Sequence, residues 1–123
     1  MSYIEKNEIN EPYPVKAIYP PIKKGSKYWQ DYFEDSDARS PYHYLNGGIW
    51  AYIGAFYVLS LIKLKKYGKA EKELEKLAKA SLDGSFAEWI NPLTKQHFGK
   101  LQAWNAGVYI LAYESLKKKK VLI

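Results

Sequence analysis

Two stretches of the chain are apolar at nearly every position, and a third between them has a single apolar stripe. The first runs from Ile49 to Leu64 and has apolar residues on every side of a helical wheel. This pattern is typical of a helix that is buried all round. We expect the helix to begin near Asn46 or Gly47, with Asn46 as its N-cap, and to end near Lys66.

The stretch with a single apolar stripe runs from about Lys69 to Ser81 and predicts a surface helix. Ala70, Leu74, Leu77 and Ala78 form one stripe. Charged residues cover the other faces: Glu71, Lys72, Glu73, Glu75, Lys76 and Lys79. One face is therefore expected to be buried and the other faces to be exposed to solvent. Asp83, Gly84 and Ser85 should end this helix, because glycine favours helix C-termini.

A third helix is predicted from about Gln102 to Lys117, again apolar on all sides. The order is then buried, surface, buried, as in toroids that alternate inner and outer helices. We predict an all-α fold in which about three helices form part of an (α/α)6 toroid. Inner helices would lack neighbours within 123 residues. Because large apolar patches rarely stay exposed on monomers, a second chain or self-association is expected.

The N-terminal segment has a different character. Most of the prolines lie in residues 1–40, and Tyr19 to Ile22 should be extended because proline restricts its own backbone and that of its predecessor. Tyr28 to Phe33 is compatible with a short helix or an aromatic loop. The predicted organisation is an extended segment over 1–40, a helical unit over 41–118 and a tail over 119–123.

Composition narrows the class of protein. Apolar residues make up 47%, enough for a core, and cysteine is absent, which fits a reducing cytoplasm. The first residues are polar and predict no secretory signal. The run from Asn46 to Ile62 is shorter than the ~20 residues that a membrane helix needs. We therefore expect a cytoplasmic protein without a membrane span.

The net charge of +6 comes mainly from lysine, concentrated in residues 63–66 and 117–120. Such a pattern suits a solvated surface, but it also raises nucleic acid or acidic membrane surfaces as partners. Arg39 is the only arginine. Because arginine is the residue that binds phosphates and guanines bidentately, its scarcity argues against nucleic acid.

The loops before the two apolar helices carry the candidate chemistry. Residues 41–50 and 86–107 mix aromatic rings, amides, a histidine, a carboxylate and glycines. Sugars require such a mixture, since aromatic faces stack on the ring and polar groups bind hydroxyls. His43, Trp50 and Trp104 are equally compatible with a core. His43 and His97 lack acidic partners at a ligand spacing, so neither a metal nor a cofactor is predicted.

At these residues the chain resembles the C-terminal part of six-hairpin glycoside hydrolases. The motif Pro-Tyr-His-Tyr-x-Asn-Gly-Gly-x-Trp at 41–50, a helical hairpin, Glu88-Trp89 and Gln102-x-Trp104 follow in order. The closest groups are glycogen-debranching (amylo-α-1,6-glucosidase type) proteins and neutral/alkaline invertases. The resemblance spans roughly residues 11–116.

The resemblance implies specific roles. Glu88 would be the general base. The residues that it places against the sugar are His43, Tyr44, Asn46, Gly47, Gly48, Trp50, Trp89, Gln102 and Trp104. Leu45 departs from the pattern, where relatives often carry a second histidine or another polar residue. The larger departure is the general acid, which lies far upstream in these families.

Three functions are therefore open. The chain is a fragment or subunit of a glycoside hydrolase acting on an α-glucoside or oligosaccharide, inactive alone because two carboxylates normally flank the scissile bond. Alternatively, it is a catalytically inactive carbohydrate-binding or oligomeric remnant. The third possibility is a basic helical protein that binds nucleic acid or acidic surfaces.

Overall fold

The computed structural model describes residues 2–123, which contain four α-helices and one small sheet. The helices are α1 (Tyr3–Lys6), α2 (Ala51–Lys63), α3 (Tyr67–Gly84) and α4 (Ala103–Lys117). Strands β1 (Trp89–Ile90) and β2 (His97–Phe98) pair antiparallel, and 3-10 turns occupy Asp31–Phe33 and Asp37–Arg39. The helical character is confirmed. The two-stranded sheet was not predicted. The 3-10 turn at 31–33 lies within the stretch that was expected to be a short helix or an aromatic loop.

Helix α2 packs against both α3 and α4, and the core lies where the three helices meet. Val58, Ile62, Leu77 and Ala112 are almost completely buried there. The first turns of α2 and α4 are bonded to each other, and Tyr67 at the start of α3 reaches the C-terminal end of α4. Helices α2 and α4 therefore run in the same direction, with α3 antiparallel to both.

The first predicted helix begins later than expected. Asn46 is not its N-cap, because the Asn46 side chain is bonded to Ile22 and Ala38 instead. Trp50 occupies the cap position without a side-chain hydrogen bond. Residues 46–50 are drawn out of the helix because Ile49 pairs with extended backbone at Lys16 and Ile90.

Burial of the two apolar helices is one-sided within this chain, whereas the prediction of burial on every face assumed neighbours from a second chain or a second copy. On α2, Phe56 is 47% exposed. On α4 only Asn105, Ala112 and Ser115 are buried, whereas Trp104 and Ile110 are 52% and 60% exposed. Residues 2–123 supply no element that covers the outer face of α4, so an apolar surface remains in contact with water.

Helix α3 has the predicted apolar stripe, with one correction. Glu73 was expected on the solvent-exposed side but is buried, because residues 9–11 of the N-terminal segment pack over this part of the helix. Its Oε1 atom accepts hydrogen bonds from Asn10 Nδ2 at 2.7 Å and Lys76 Nζ at 3.2 Å. The helix ends at Gly84, and Ser85 takes the left-handed conformation that follows many helix C-termini.

Candidate functional site

Hydrogen bonds join the two motif loops at one end of the helices. The Ile49 and Ile90 backbones exchange N–H···O bonds of 2.9 Å in both directions. The Asn105 Oδ1 atom accepts the Tyr52 N–H at 3.1 Å, and its Nδ2 donates to the Ala87 carbonyl at 2.6 Å. The start of α2, the start of α4 and the Glu88 segment are thus fixed together.

The paired glycines are required by close packing of the loop on itself. Gly47 has φ +97°, in the region that side chains disfavour, and a Cβ atom there would lie 2.9 Å from Pro21. A Cβ on Gly48 would overlap the Tyr44 carbonyl oxygen and lie 3.0 Å from the Trp89 ring. Both glycines are buried, so they hold the loop in shape and present little surface of this chain to a ligand.

Asn46 and Trp50 are also buried and satisfied within the loop region. The Asn46 amide accepts the Ile22 N–H at 2.7 Å and donates to the carbonyls of Ile22 and Ala38, each at 2.9 Å. Trp50 donates its Nε1–H to the Tyr44 carbonyl at 3.1 Å. These residues position the neighbouring side chains His43 and Tyr44.

Trp89 is the centre of an aromatic cluster. Its ring stacks on Phe98 with centroids 4.0 Å apart and planes 4° from parallel. The His43 ring lies 5.7 Å from Trp89 and the Tyr44 ring 6.3 Å. Trp89 is 3% exposed, so it supports the more accessible rings of His43 and Tyr44.

Glu88 is held by its backbone and leaves its carboxylate unengaged. Its N–H donates to the Phe98 carbonyl at 2.8 Å, which fixes the residue at the edge of the small sheet. Gly99, with φ +69°, lies beneath it, where a Cβ would be 2.9 Å from Glu88 Cβ. Among residues 2–123, no hydrogen bond or ion pair reaches the half-buried Glu88 carboxylate. It can therefore accept a proton or bind a hydroxyl.

Gln102 and Trp104 lie at the start of α4, linked to the Glu88 segment by the backbone. The Gln102 N–H donates to the Phe86 carbonyl at 3.0 Å, and its side-chain amide donates to the Lys100 carbonyl at 3.2 Å. Trp104 projects from the first turn. With Trp50, Tyr52 and Val108 it lines an open cavity of about 370 Å³.

Tyr44 also forms one wall of a second cavity, which was not expected from the sequence. Its volume is about 530 Å³, and its other lining residues are Glu34, Asp35, Ser36, Asp37 and Arg39. Tyr44 connects this acidic loop to the cluster around Trp89, on the side of the molecule where the motif loops meet.

Asn105 is the site-organising residue that the sequence did not single out. It is 2% exposed, and its bonds to Tyr52 and Ala87 connect the first turn of α2 to the stretch that precedes Glu88. A polar residue inside an otherwise apolar helix was the available signal, because buried amides are normally hydrogen-bonded.

No protein-family model and no curated protein matches this chain. None of the helices in residues 2–123 combines the length and apolar character needed to cross a bilayer. The same residues contain no group of three histidine, aspartate or glutamate side chains placed to hold a metal ion.

Proposed function

We propose that this chain is a carbohydrate-binding part of a glycoside hydrolase of the glycogen-debranching or glucosidase-like type. In this proposal Glu88 acts as general base, and another polypeptide supplies the general acid and the remaining helices of an α/α toroid. The observation that carries the proposal is the unengaged carboxylate of Glu88, the residue that precedes Trp89 of the aromatic cluster in the chain. It sits where backbone pairing brings both motif loops together.

The accessible groups of the two motif loops match what a sugar requires. His43 and Tyr44 present ring faces and polar atoms, and Trp104 is an exposed aromatic platform. The buried members of the cluster, Trp50 and Trp89, would act indirectly by orienting those rings. A carboxylate that makes no competing ion pair is available to polarise a water molecule or to bind a hydroxyl.

The exposed outer face of α4 supports the need for a further polypeptide. Trp104 and Ile110 are more than half exposed, whereas an inner helix of a toroid is covered on both flanks. A second chain, or association of this chain with itself, would remove this surface from water.

Calorimetric titration with maltoheptaose tests sugar binding directly. We expect millimolar to micromolar binding that Tyr44→Ala and Trp104→Ala each weaken by about five- to tenfold, in line with losing one aromatic platform. Tyr28→Ala is the matched control, because Tyr28 is 62% exposed outside the motif loops. Absence of binding to maltoheptaose, or equal loss in all three variants, would contradict the proposal.

Polyanion binding distinguishes the carbohydrate proposal from the alternative of a basic protein that binds nucleic acid or acidic surfaces. Under the carbohydrate proposal, heparin should bind only weakly and without effect on maltoheptaose titrations. Tight heparin binding with a steep salt dependence, together with no response to oligosaccharides, would favour a protein that acts through its lysines.

A further inference from the structure

A groove between α3 and α4 has the dimensions and lining of a small-molecule site. It encloses about 530 Å³, within the usual range for ligand pockets. Its floor is apolar, formed by Leu74, Ala78 and Leu116, and its walls carry the rings of Tyr67, Tyr109 and Tyr113. Burial is the larger cause of a raised pKa for the Tyr109 hydroxyl, and the nearby Tyr113 is the smaller one, so this hydroxyl stays neutral in the groove.

Two lysines of the α4 terminus stand at one end of this groove. Lys119 Nζ lies 5.6 Å from the Tyr67 ring centroid, and Lys117 Nζ lies 5.8 Å from that of Tyr113. Lys117 has only a 3.7 Å contact with Glu114, and both ammonium groups are accessible. A ligand that enters between these tyrosines therefore meets two positive charges.

The start of α3 adds to this positive end. Tyr67 and Gly68 form the first turn of an 18-residue helix and line the groove. Within residues 2–123, no side chain caps this N-terminus. Because the N-terminal end of a helix carries partial positive charge, it favours the same anion as the two lysines.

The rim on the α3 side carries the opposite charge. Glu71 and Glu75 are exposed there, one and two turns beyond the helix start. They would repel a second negative group along the body of a ligand. Charge around the groove therefore selects one anionic group, placed at the lysine end, on an otherwise uncharged molecule.

We propose that this groove binds a flat aromatic monocarboxylate, with its ring between Tyr109 and Tyr113 and its carboxylate near Lys117 and Lys119. The site is separate from the Glu88 loops and does not depend on the carbohydrate proposal. Its ligand class follows from the tyrosine walls, the apolar floor and the position of the two ammonium groups.

Titration of the whole chain with 2-naphthoate, followed by NMR, tests this site. We expect saturable shifts at Tyr67, Tyr109 and Tyr113, and about fivefold weaker binding of the neutral analogue 2-naphthamide, as two exposed charge contacts would give. The preference for the anion should shrink at high salt. Equal affinity for the two probes, or shifts centred elsewhere, would overturn the proposal.

Neighbouring lysines provide a matched control. The double substitution Lys117→Met and Lys119→Met should weaken 2-naphthoate binding about fivefold and leave 2-naphthamide unchanged. Lys118→Met with Lys120→Met removes the same net charge outside the groove and should leave both affinities unchanged. Equal effects of the two double substitutions would mean that the net positive charge of the chain, and not this groove, attracts 2-naphthoate, and would overturn the proposal.

A steric variant tests the location independently of charge. Gly68 lines the groove and has open space around its Cα, so Gly68→Leu should fill the entrance and lower affinity for both probes at least tenfold. Gly107→Leu is the matched control, because Gly107 is also helical and open but lies outside the groove. Unchanged binding in folded Gly68→Leu would show that the ligand does not occupy this groove.

Discussion

Asn46 and Asn105 are buried amides whose hydrogen bonds run to distant parts of the chain. Asn46 connects the N-terminal segment at Ile22 to the turn at Ala38, and Asn105 connects Tyr52 to Ala87. Leaving buried backbone partners unsatisfied typically costs 1–3 kcal/mol for each group. These side chains therefore stabilise the loops from which the candidate site is built.

Replacing Asn46 should destabilise the whole chain. Asn46→Ala removes three hydrogen bonds and leaves buried partners, so we expect a loss of roughly 2–4 kcal/mol in the free energy of unfolding. Chemical denaturation monitored by circular dichroism measures it. Asn7→Ala, which removes one local bond to the Tyr3 carbonyl, should cost less than about 1 kcal/mol. Equal losses would show that Asn46 is not a structural link.

Glu88 should matter for turnover and hardly for stability. Because its carboxylate makes no bond within residues 2–123, Glu88→Gln should change the unfolding free energy by less than about 0.5 kcal/mol. In an assembly that hydrolyses glycosides, loss of a general base should lower kcat by ~10²–10⁴-fold. Glu75→Gln, on the exposed side of α3, should do neither. Full turnover in Glu88→Gln would refute the assigned role.

The chain alone should not hydrolyse glycosides, because the proposal assigns the general acid to another polypeptide and glycoside hydrolysis normally takes two carboxylates. We expect no sustained glucose or fructose release from α-glucan, sucrose or an aryl glycoside in a coupled assay. Enzymatic turnover by the isolated chain that Glu88→Gln abolishes would show that the second carboxylate lies within it.

At the scale of elements, ion pairs tie the N-terminal segment to α3. Lys69 Nζ lies 2.6 Å from Glu5 Oε1, and Lys76 Nζ lies 2.5 Å from Glu11 Oε1. The bond from Lys69, followed by that from the Ser2 backbone, lowers the pKa of Glu5 to about 2. Helix α1 is too short to be stable by itself, so these contacts decide whether the segment stays docked.

Acid should release this segment. A carboxylate whose pKa is lower in the folded state stabilises the fold above its unfolded pKa, 4.5 here, and loses that effect as the pH falls towards 2. Urea denaturation should show that Glu5→Gln destabilises the chain at pH 6 and that this difference disappears by about pH 2. A difference independent of pH would mean that the ion pair contributes nothing.

Much of the helical layout was predictable, whereas the loops were not. The stripe from Ala70 to Ala78 predicts α3, and the run of apolar residues predicts most of α2 and α4. The short β pairing of Ile49 with Ile90 depends on contacts 41 residues apart, which local patterns do not record. Other long-range contacts bond the Asn46 side chain to Ile22 and Ala38 instead of to its expected helix, and the contact of Asn10 with Glu73 buries that carboxylate.

The two motif loops of the candidate site could be picked out from the sequence. Which of their aromatic rings are buried and which are accessible could not. Sequence patterns place Trp89 and Trp104 in the same class, yet Trp89 is 3% exposed and Trp104 is 52% exposed. The stacking of Phe98 on Trp89 accounts for this difference, and the pairing of β1 with β2 produces it. The carbohydrate chemistry that residue type suggests stays a prediction, and only the packing separates supporting rings from accessible ones.

At the scale of the whole molecule, the outer face of α4 should drive association. Burying apolar side chains contributes about 25 cal/mol for each Å² removed from water. Sedimentation velocity at micromolar concentration should therefore show oligomers or aggregates. Ile110→Lys should shift the distribution towards monomer, whereas Leu82→Lys, at an 85% exposed position on α3, should not. A wild-type monomer with sharp side-chain NMR signals would contradict this expectation.

The most direct test of the account locates the sugar on the chain. In a ¹⁵N and aromatic ¹³C NMR titration with maltoheptaose, the account predicts that signals from His43, Tyr44, Glu88 and Trp104 shift together along one saturation curve. Signals from the α3–α4 groove should stay in place. Saturable shifts confined to the groove, or no shifts at millimolar maltoheptaose, would contradict the claim that the two motif loops form a carbohydrate site.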